Sequence, residues 1–324
     1  MKEIFPKNLI SGSVKSQNDL DMVFNNNPDL SKNYLQIATY WKETREFYEN
    51  NWPKIERYLD KNFLDKFKME SEHYSRSWEF HLASILIDQG LNLLEKTWDY
   101  GPDFCIQLED GKKIWIEAII CTLGDTDPVE PRPVLTPGKM HSFGGNIEEI
   151  NRPKALRITG AIGTKFEKFK KYLEDPNCLV TKNDCLIIAI NGKLIQHYSE
   201  PFRLFKYAVF GQGPDILRKI SGEEKLQGGY YKPVATVKRK TNNGEIDIPV
   251  TFMEMDEFSL ISAVLYCGRS ESDSLWNSKK IEDDFFFAYH TNPINPIPYK
   301  TFKFGTGVTK DTKTNSITDH IQSE

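Results

Sequence analysis

Two carboxylates define the chemistry available to this chain. Asp103 opens the run Asp103-Phe104-Cys105-Ile106-Gln107-Leu108, and Glu117 lies within Lys112-Lys113-Ile114-Trp115-Ile116-Glu117-Ala118-Ile119-Ile120. An ionised glutamate in such apolar surroundings is costly unless a cation compensates it. The turn between the runs decides whether the two acids meet. A two-residue Asp110-Gly111 turn pairs Phe104 with Glu117 and Leu108 with Lys113, setting apolar against charged. A three-residue Glu109-Asp110-Gly111 turn with Gly111 left-handed pairs Phe104 with Ile116 and Ile106 with Ile114. In that register Asp103 stands opposite Glu117 on one face, with Cβ atoms roughly 5 Å apart. Two acids so close repel and raise one pKa unless a cation lies between them, and a hard divalent metal suits oxygen donors.

Two further residues lean toward the same chemistry. In the helical pattern from Arg157 to Leu173, Ile158, Ile162, Phe169 and Leu173 form one apolar arc flanked by Ala161 and Phe166. Lys165 falls inside that arc, whereas Lys168, Lys170 and Lys171 fall outside it. An ammonium facing the core needs an anion, and the acidic pair is the best candidate; snorkelling from the stripe's edge is the competing reading. Glu79 has Leu82, Ala83 and Leu86 as its i+3, i+4 and i+7 neighbours, so it too turns toward an apolar face.

The elements that must position these groups follow from pattern. Residues 1–30 read as a loose polar arm, and Ser31 to Lys68 as helices whose aromatics serve the core. Ser71 to Gly90 reads as a helix closed by Gly90. The two strands come next, then an irregular segment from Leu123 to Pro153, the helix from Arg157, and a buried strand over Cys185–Ile190. Leu204–Phe210 reads as a further strand, and Val234–Val250 as a hairpin around Asn243-Gly244. Phe258–Tyr266 and Asp284–His290 complete the apolar pattern, and the polar tail after Gly305 reads as disordered. The division is therefore an N-terminal arm and helical extension over 1–69, one domain over 70–305 and a tail over 306–324.

Composition narrows the function classes. The 324 residues carry a net charge of −4, which argues against strong non-specific DNA binding but leaves room for a local basic groove. Five cysteines without a CxxC spacing give neither a disulfide framework nor a zinc knuckle. No signal-like h-region or membrane-length apolar run occurs, so a cytoplasmic location without membrane association is expected. His73 and His81 lack zinc spacing, while His141, His197 and His290 stand alone. Cys121 has no evident general base beside it. No P-loop, no GxGxxG after a strand and no GxSxG is found.

A helix bearing Glu79, a strand opened by Pro102-Asp103, a strand bearing Glu117, then a helix and a strand: over roughly residues 70–190 this order resembles the PD-(D/E)XK nuclease superfamily. The resemblance implies a restriction-endonuclease-like α/β core (αβββαβ, a mixed sheet flanked by helices), here with a helical N-terminal extension. Asp103 matches the PD element and Glu117 the (D/E) position, while Glu79 looks like the acid on the preceding helix. The family lysine would stand at Ile119. Several branches move it to the following helix, where Lys165 is suitably placed, and Tyr172 is similar to a helix tyrosine that some members present to DNA.

The resemblance implies a metal-dependent nuclease, with DNA favoured over RNA. Mg²⁺ or Mn²⁺ would be held by Asp103, Glu117 and the Ala118 carbonyl, with Glu79 completing the metal shell directly or through water. Lys165 would orient water or stabilise developing charge. Arg157, Lys168 and Tyr172, with Lys238, Arg239 and Lys240 near the hairpin tip, are the nucleic-acid contacts to test. A homodimer is compatible with this reading. The alternative is a catalytically inactive scaffold or interaction module, which Ile119 and the acidic net charge favour.

Overall fold

The Glu109-Asp110-Gly111 turn forms as the hydrophobic pattern demands. In the computed structural model, strands β1 (Phe104–Gln107) and β2 (Lys113–Ile120) are antiparallel, with Phe104 opposite Ile116 and Ile106 opposite Ile114. Gly111 takes φ 85°, the left-handed conformation the turn requires. The Leu108 N–H donates to the Lys112 carbonyl across its mouth. The structure describes residues 3–10, 14–124, 147–195, 201–220, 223–269, 284–298, 300–314 and 316–322. His141, His197 and most of the irregular segment expected between Leu123 and Pro153 lie outside them.

The helices are α1 (Lys7–Ile10), α2 (Gln17–Asn26), α3 (Lys32–Thr39), α4 (Lys42–Ile55), α5 (Phe63–Phe67), α6 (His73–Asp88), α7 (Ile147–Glu174) and α8 (Pro201–Phe210). The remaining strands are β3 (Cys185–Asn191), β4 (Gln212–Ile220), β5 (Glu223–Pro233), β6 (Thr236–Thr241), β7 (Gly244–Pro249), β8 (Ala263–Cys267), β9 (Phe285–Tyr289), β10 (Thr306–Asp311) and β11 (Ser316–Ile321). Seven strands make one mixed sheet in the order β1-β2-β3-β8-β9-β10-β11, while β4-β5 and β6-β7 are separate two-stranded ribbons. β2, β3 and β8 run parallel, which places a crossover between each successive pair. α7 supplies the first crossover. Outside β1, residues 92–94 pair with it antiparallel through the Leu93–Ile106 bridge and the Leu94 N–H to Cys105 carbonyl bond.

Side-chain alternation sorts each strand into two layers. Ile114, Ile116 and Ala118 join Cys185, Ile187 and Ala189 in one core, which α3 to α6 cover. Trp115 joins Leu186, Ile188 and Ile190 in the other, which α7 and α8 cover. Glu117, in phase with Trp115, therefore points at α7 and not at α6. Asp103, in phase with Cys105, belongs to the same side. The register argument thus fixes the helix from which a compensating cation must come.

Three sequence expectations are corrected. The described residues of the 1–30 segment are not a loose arm: Ser16 and Asp19 form a capping box at the start of α2. Ile4 and Phe5 are buried, and the Phe5 ring lies 5.2 Å from Tyr34. Leu204–Phe210 is helical, not a strand, because Pro201 starts the helix and the apolar run is long enough to bury successive helix faces. The described residues after Gly305 do not form a disordered tail. β10 pairs parallel with β9 and buries Val308, and β11 closes an antiparallel hairpin onto β10. Its polar composition reflects an edge position, where one side of the ribbon faces water. Most of the aromatic series from Tyr34 serves the core as expected, with Tyr34, Tyr48 and Trp52 buried, while Tyr40 is exposed.

Candidate active site

Glu117 is fully buried, and its carboxylate is held by three donors from one face of α7. Lys165 donates to Oε2. Lys168 places its Nζ 2.9 Å from Oε1. The Tyr172 hydroxyl donates to Oε1 at 2.6 Å and lies 3.0 Å from the Gly101 carbonyl. Positions 165, 168 and 172 follow the i, i+3, i+7 spacing of a single helical stripe, so about two turns of α7 deliver all three groups to β2. Lys165 thus reaches the buried acid from inside the apolar arc, as the helical wheel anticipates.

Asp103 is only partly exposed, and its Oδ2 accepts the Ala118 N–H at 2.7 Å. This bond ties the start of β1 to β2 one residue beyond Glu117. Burial, and then the neighbouring Glu117 charge, raise the Asp103 pKa; Lys165, Lys96 and the Ala118 N–H pull it the other way. The pair repels as the sequence register implies, and the lysines relieve the repulsion only in part.

Glu79 approaches from α6, on the opposite face of the sheet. Arg76 holds its Oε2 at 2.6 Å and also lies 3.4 Å from Asp60 and 3.4 Å from Glu72. Lys96 closes the network on Asp60 at 2.9 Å. Burial, then the Asp103 charge, push Glu79 up to about 8 even with Arg76 beside it. Asp60, Arg76 and Lys96 are thus a second charged layer around the acids that sequence reasoning missed. The only signal available was the i, i+3 spacing of Arg76 and Glu79, because Asp60 and Lys96 come from separate loops.

Among the described residues, no three His, Cys, Asp or Glu side chains form a metal-ligand set. Glu79 is turned to Arg76, so among the described residues it does not join Asp103 and Glu117 in a direct three-carboxylate cluster. That pair, with a backbone carbonyl beside Glu117, still matches the donor chemistry of a hard divalent cation.

The expected nucleic-acid contacts separate into two groups. Tyr172 is buried with its hydroxyl on Glu117, so it is not a surface tyrosine, and Lys168 is drawn inward by the same carboxylate. The side chain of Lys168 nonetheless stays 43% exposed and marks where the site opens to solvent. Arg157 packs its guanidinium against Gly124, where a Cβ would collide with it. Lys238, Arg239 and Lys240 are exposed on β6, with Lys238 paired to Asp247 at 3.1 Å. The Lys238 carbonyl accepts from Arg152 near the start of α7, so these three stand at the other end of that helix from Glu117. The structure does not bring them to the acids.

The remaining candidates are structural. His73 bonds the Phe67 carbonyl through Nδ1, and His290 accepts the Asn292 N–H while its Nε2 meets the Met255 carbonyl. Cys121 is buried, with burial pushing its thiol up to about 12. No helix among the described residues is long and apolar enough to cross a membrane. No protein-family model, curated protein or solved structure matches this chain.

Proposed function

We propose that this chain is a divalent-metal-dependent phosphodiesterase acting on nucleic acid, with DNA the first substrate to test and a restriction-endonuclease-like core as its scaffold. One observation carries the reading. A lysine from the crossover helix enters an apolar arc to meet a buried glutamate beside a strand-opening aspartate. The short pairing of residues 92–94 with β1, followed by β2, α7 and β3, supports the αβββαβ order behind it.

Asp103, Glu117 and the Ala118 carbonyl would hold Mg²⁺ or Mn²⁺, which supplies charge neutralisation and a more acidic bound water. Lys165 sets a fixed positive charge beside the acids, where negative charge grows as the phosphorus is attacked. Tyr172 and Lys168 fix the plane of the Glu117 carboxylate. Lys168, open to solvent on one side, is also the cation best placed to meet an incoming phosphate. Arg76 holds Glu79 away from direct ligation.

The test is cleavage of plasmid and single-stranded DNA with Mg²⁺ or Mn²⁺. Asp103→Ala, Glu117→Ala and Lys165→Met are each expected to lose activity by at least about 100-fold, with folding checked by circular dichroism. Variants that cut as fast as the parent would overturn the reading. A second reading, a non-catalytic scaffold or interaction module, is favoured by the engagement of both Glu117 oxygens with protein donors. It predicts no cleavage and no calorimetric binding of either metal at millimolar concentration.

A further inference from the structure

Tyr100 stands beside the acid site with its side chain 49% exposed. A lone exposed aromatic needs no explanation, but the surroundings of this one are built. The Trp98 indole N–H donates to the Pro102 carbonyl at 2.8 Å, which closes residues 98–102 into a tight loop. The Trp98 ring meets the buried Trp115 ring at 81°, with centroids 5.2 Å apart. Gly101, at φ 140°, lies so close to Trp98 that a Cβ would sit 3.2 Å from the indole. Its carbonyl accepts the Tyr172 hydroxyl. The loop is therefore tied down on both sides of Tyr100, and the ring is left outward on a fixed backbone.

One residue joins that ring to the site. Tyr100 and Tyr172 meet at 83° with centroids 5.2 Å apart, and the Tyr172 hydroxyl reaches Glu117. The Lys168 ammonium lies 5.4 Å from the Tyr172 ring centroid while bonded to Glu117. Tyr172 is thus a buried anchor between two part-exposed groups: a cation at the carboxylate, and an aromatic ring one tyrosine's length away. Their chemistry differs. The cation suits a phosphate. At Tyr100, partial desolvation and then the Asp175 charge raise the phenol's pKa, so this part of the rim carries a negative field. Such a rim disfavours a phosphate and admits an uncharged flat group.

We propose that the Tyr100 ring is a stacking platform for one unpaired base of a single-stranded DNA, beside the phosphate presented at Glu117. A base within a duplex is covered by its stacked neighbours, so only an unpaired one offers its face to the ring. Every base has such a face, so the contact selects strand form and tolerates sequence. The fixed loop means that little freedom is lost on stacking. The position of the phosphate rests on the phosphodiesterase reading; the platform adds which form of DNA the site takes.

Fluorescence anisotropy of the full chain tests it with a labelled mixed-sequence oligonucleotide and the blunt duplex of the same strand. Ca²⁺ is present as a hard cation for the same oxygen donors. The parent is expected to bind the single strand at least about fivefold more tightly than the duplex. Tyr100→Ala is expected to lose that preference and Tyr100→Phe to keep it, with folding checked by circular dichroism. With Mg²⁺, Tyr100→Ala is expected to raise KM for the single strand by a similar factor and leave kcat unchanged. Equal affinity for strand and duplex, no binding of either, or a Tyr100→Ala variant that binds as the parent does overturns the proposal. A parent that binds the single strand through Tyr100 but never cuts it overturns the phosphodiesterase reading and leaves the platform standing. A parent that cuts strand and duplex alike, with or without the Tyr100 ring, does the reverse.

Discussion

Replacing Lys165 with methionine keeps the aliphatic stem in its apolar arc and removes one of the two ammonium groups on Glu117. Losing one partner of a fully buried ion pair costs about 3–5 kcal/mol. Here Lys168 at 2.9 Å and Tyr172 at 2.6 Å continue to donate to the carboxylate. The loss therefore reduces to one charge-assisted hydrogen bond, about 1.5–3 kcal/mol. Glu117→Gln alone strands two ammonium groups against a neutral amide. In the double variant the lysine that opposed the charge is gone with the charge, so the combined loss falls short of the sum. Urea unfolding of the parent, both single variants and the double variant at pH 7, without divalent metal, is expected to give a coupling energy of about 1–3 kcal/mol. Additivity within about 0.5 kcal/mol would mean that the contact carries no energy, and the electrostatic account of the site would fall.

Two further outcomes follow from buried titratable groups. Glu79 is raised to about 8 from an ordinary value of 4.5, so the native state holds a proton there that the unfolded chain has released. The stability linked to this group is full below pH 4.5 and lost as pH rises through about 8. Glu79→Gln is expected to flatten that part of the metal-free stability profile, and superimposable profiles would refute it. His81 is buried among Phe47, Trp78 and Phe285, neither ring nitrogen has a hydrogen-bond partner, and burial lowers its pKa to about 3. Its neutral form contributes stability above about pH 6.5 that is lost as pH falls toward 3. His81→Leu is expected to be neutral or stabilising by about 1 kcal/mol at pH 7 and less sensitive to acid; a large loss in thermal unfolding, with acid sensitivity unchanged, would refute it.

The hairpin register and the face of Glu117 were legible because a strand's period of two leaves only one apolar pairing. Lys165 was legible because an ammonium inside an apolar arc is an anomaly that burial must resolve. Lys168 was not, since a helical wheel places Cβ atoms and a long flexible stem can return its head group to a site beside the arc. Tyr172 was noticed for the wrong role: its phenol carries an apolar ring inward and spends its hydroxyl on the carboxylate. Leu204–Phe210 was misread because a short run that is apolar but for Lys206 is too brief for its period to distinguish helix from strand. The C-terminal hairpin escaped because edge strands carry polar residues on their wet side. The layer of Asp60, Arg76 and Lys96 depends on tertiary proximity between loops, which no local pattern encodes.

The three donors to Glu117 have a consequence for how the chain assembles. Lys165 lies 48 residues after the acid it neutralises, and Tyr172 lies 55 after it. The β1–β2 hairpin can close early, by local turn chemistry, but its glutamate cannot leave water until the crossover helix has been made and docked. During synthesis at about 5–20 residues per second, that interval lasts several seconds. Throughout it the hairpin carries an exposed charge on the face that will later be sealed. This charge acts as a solubilising gatekeeper for an otherwise sticky isoleucine-rich strand. The same carboxylate that organises the finished site therefore protects the unfinished one.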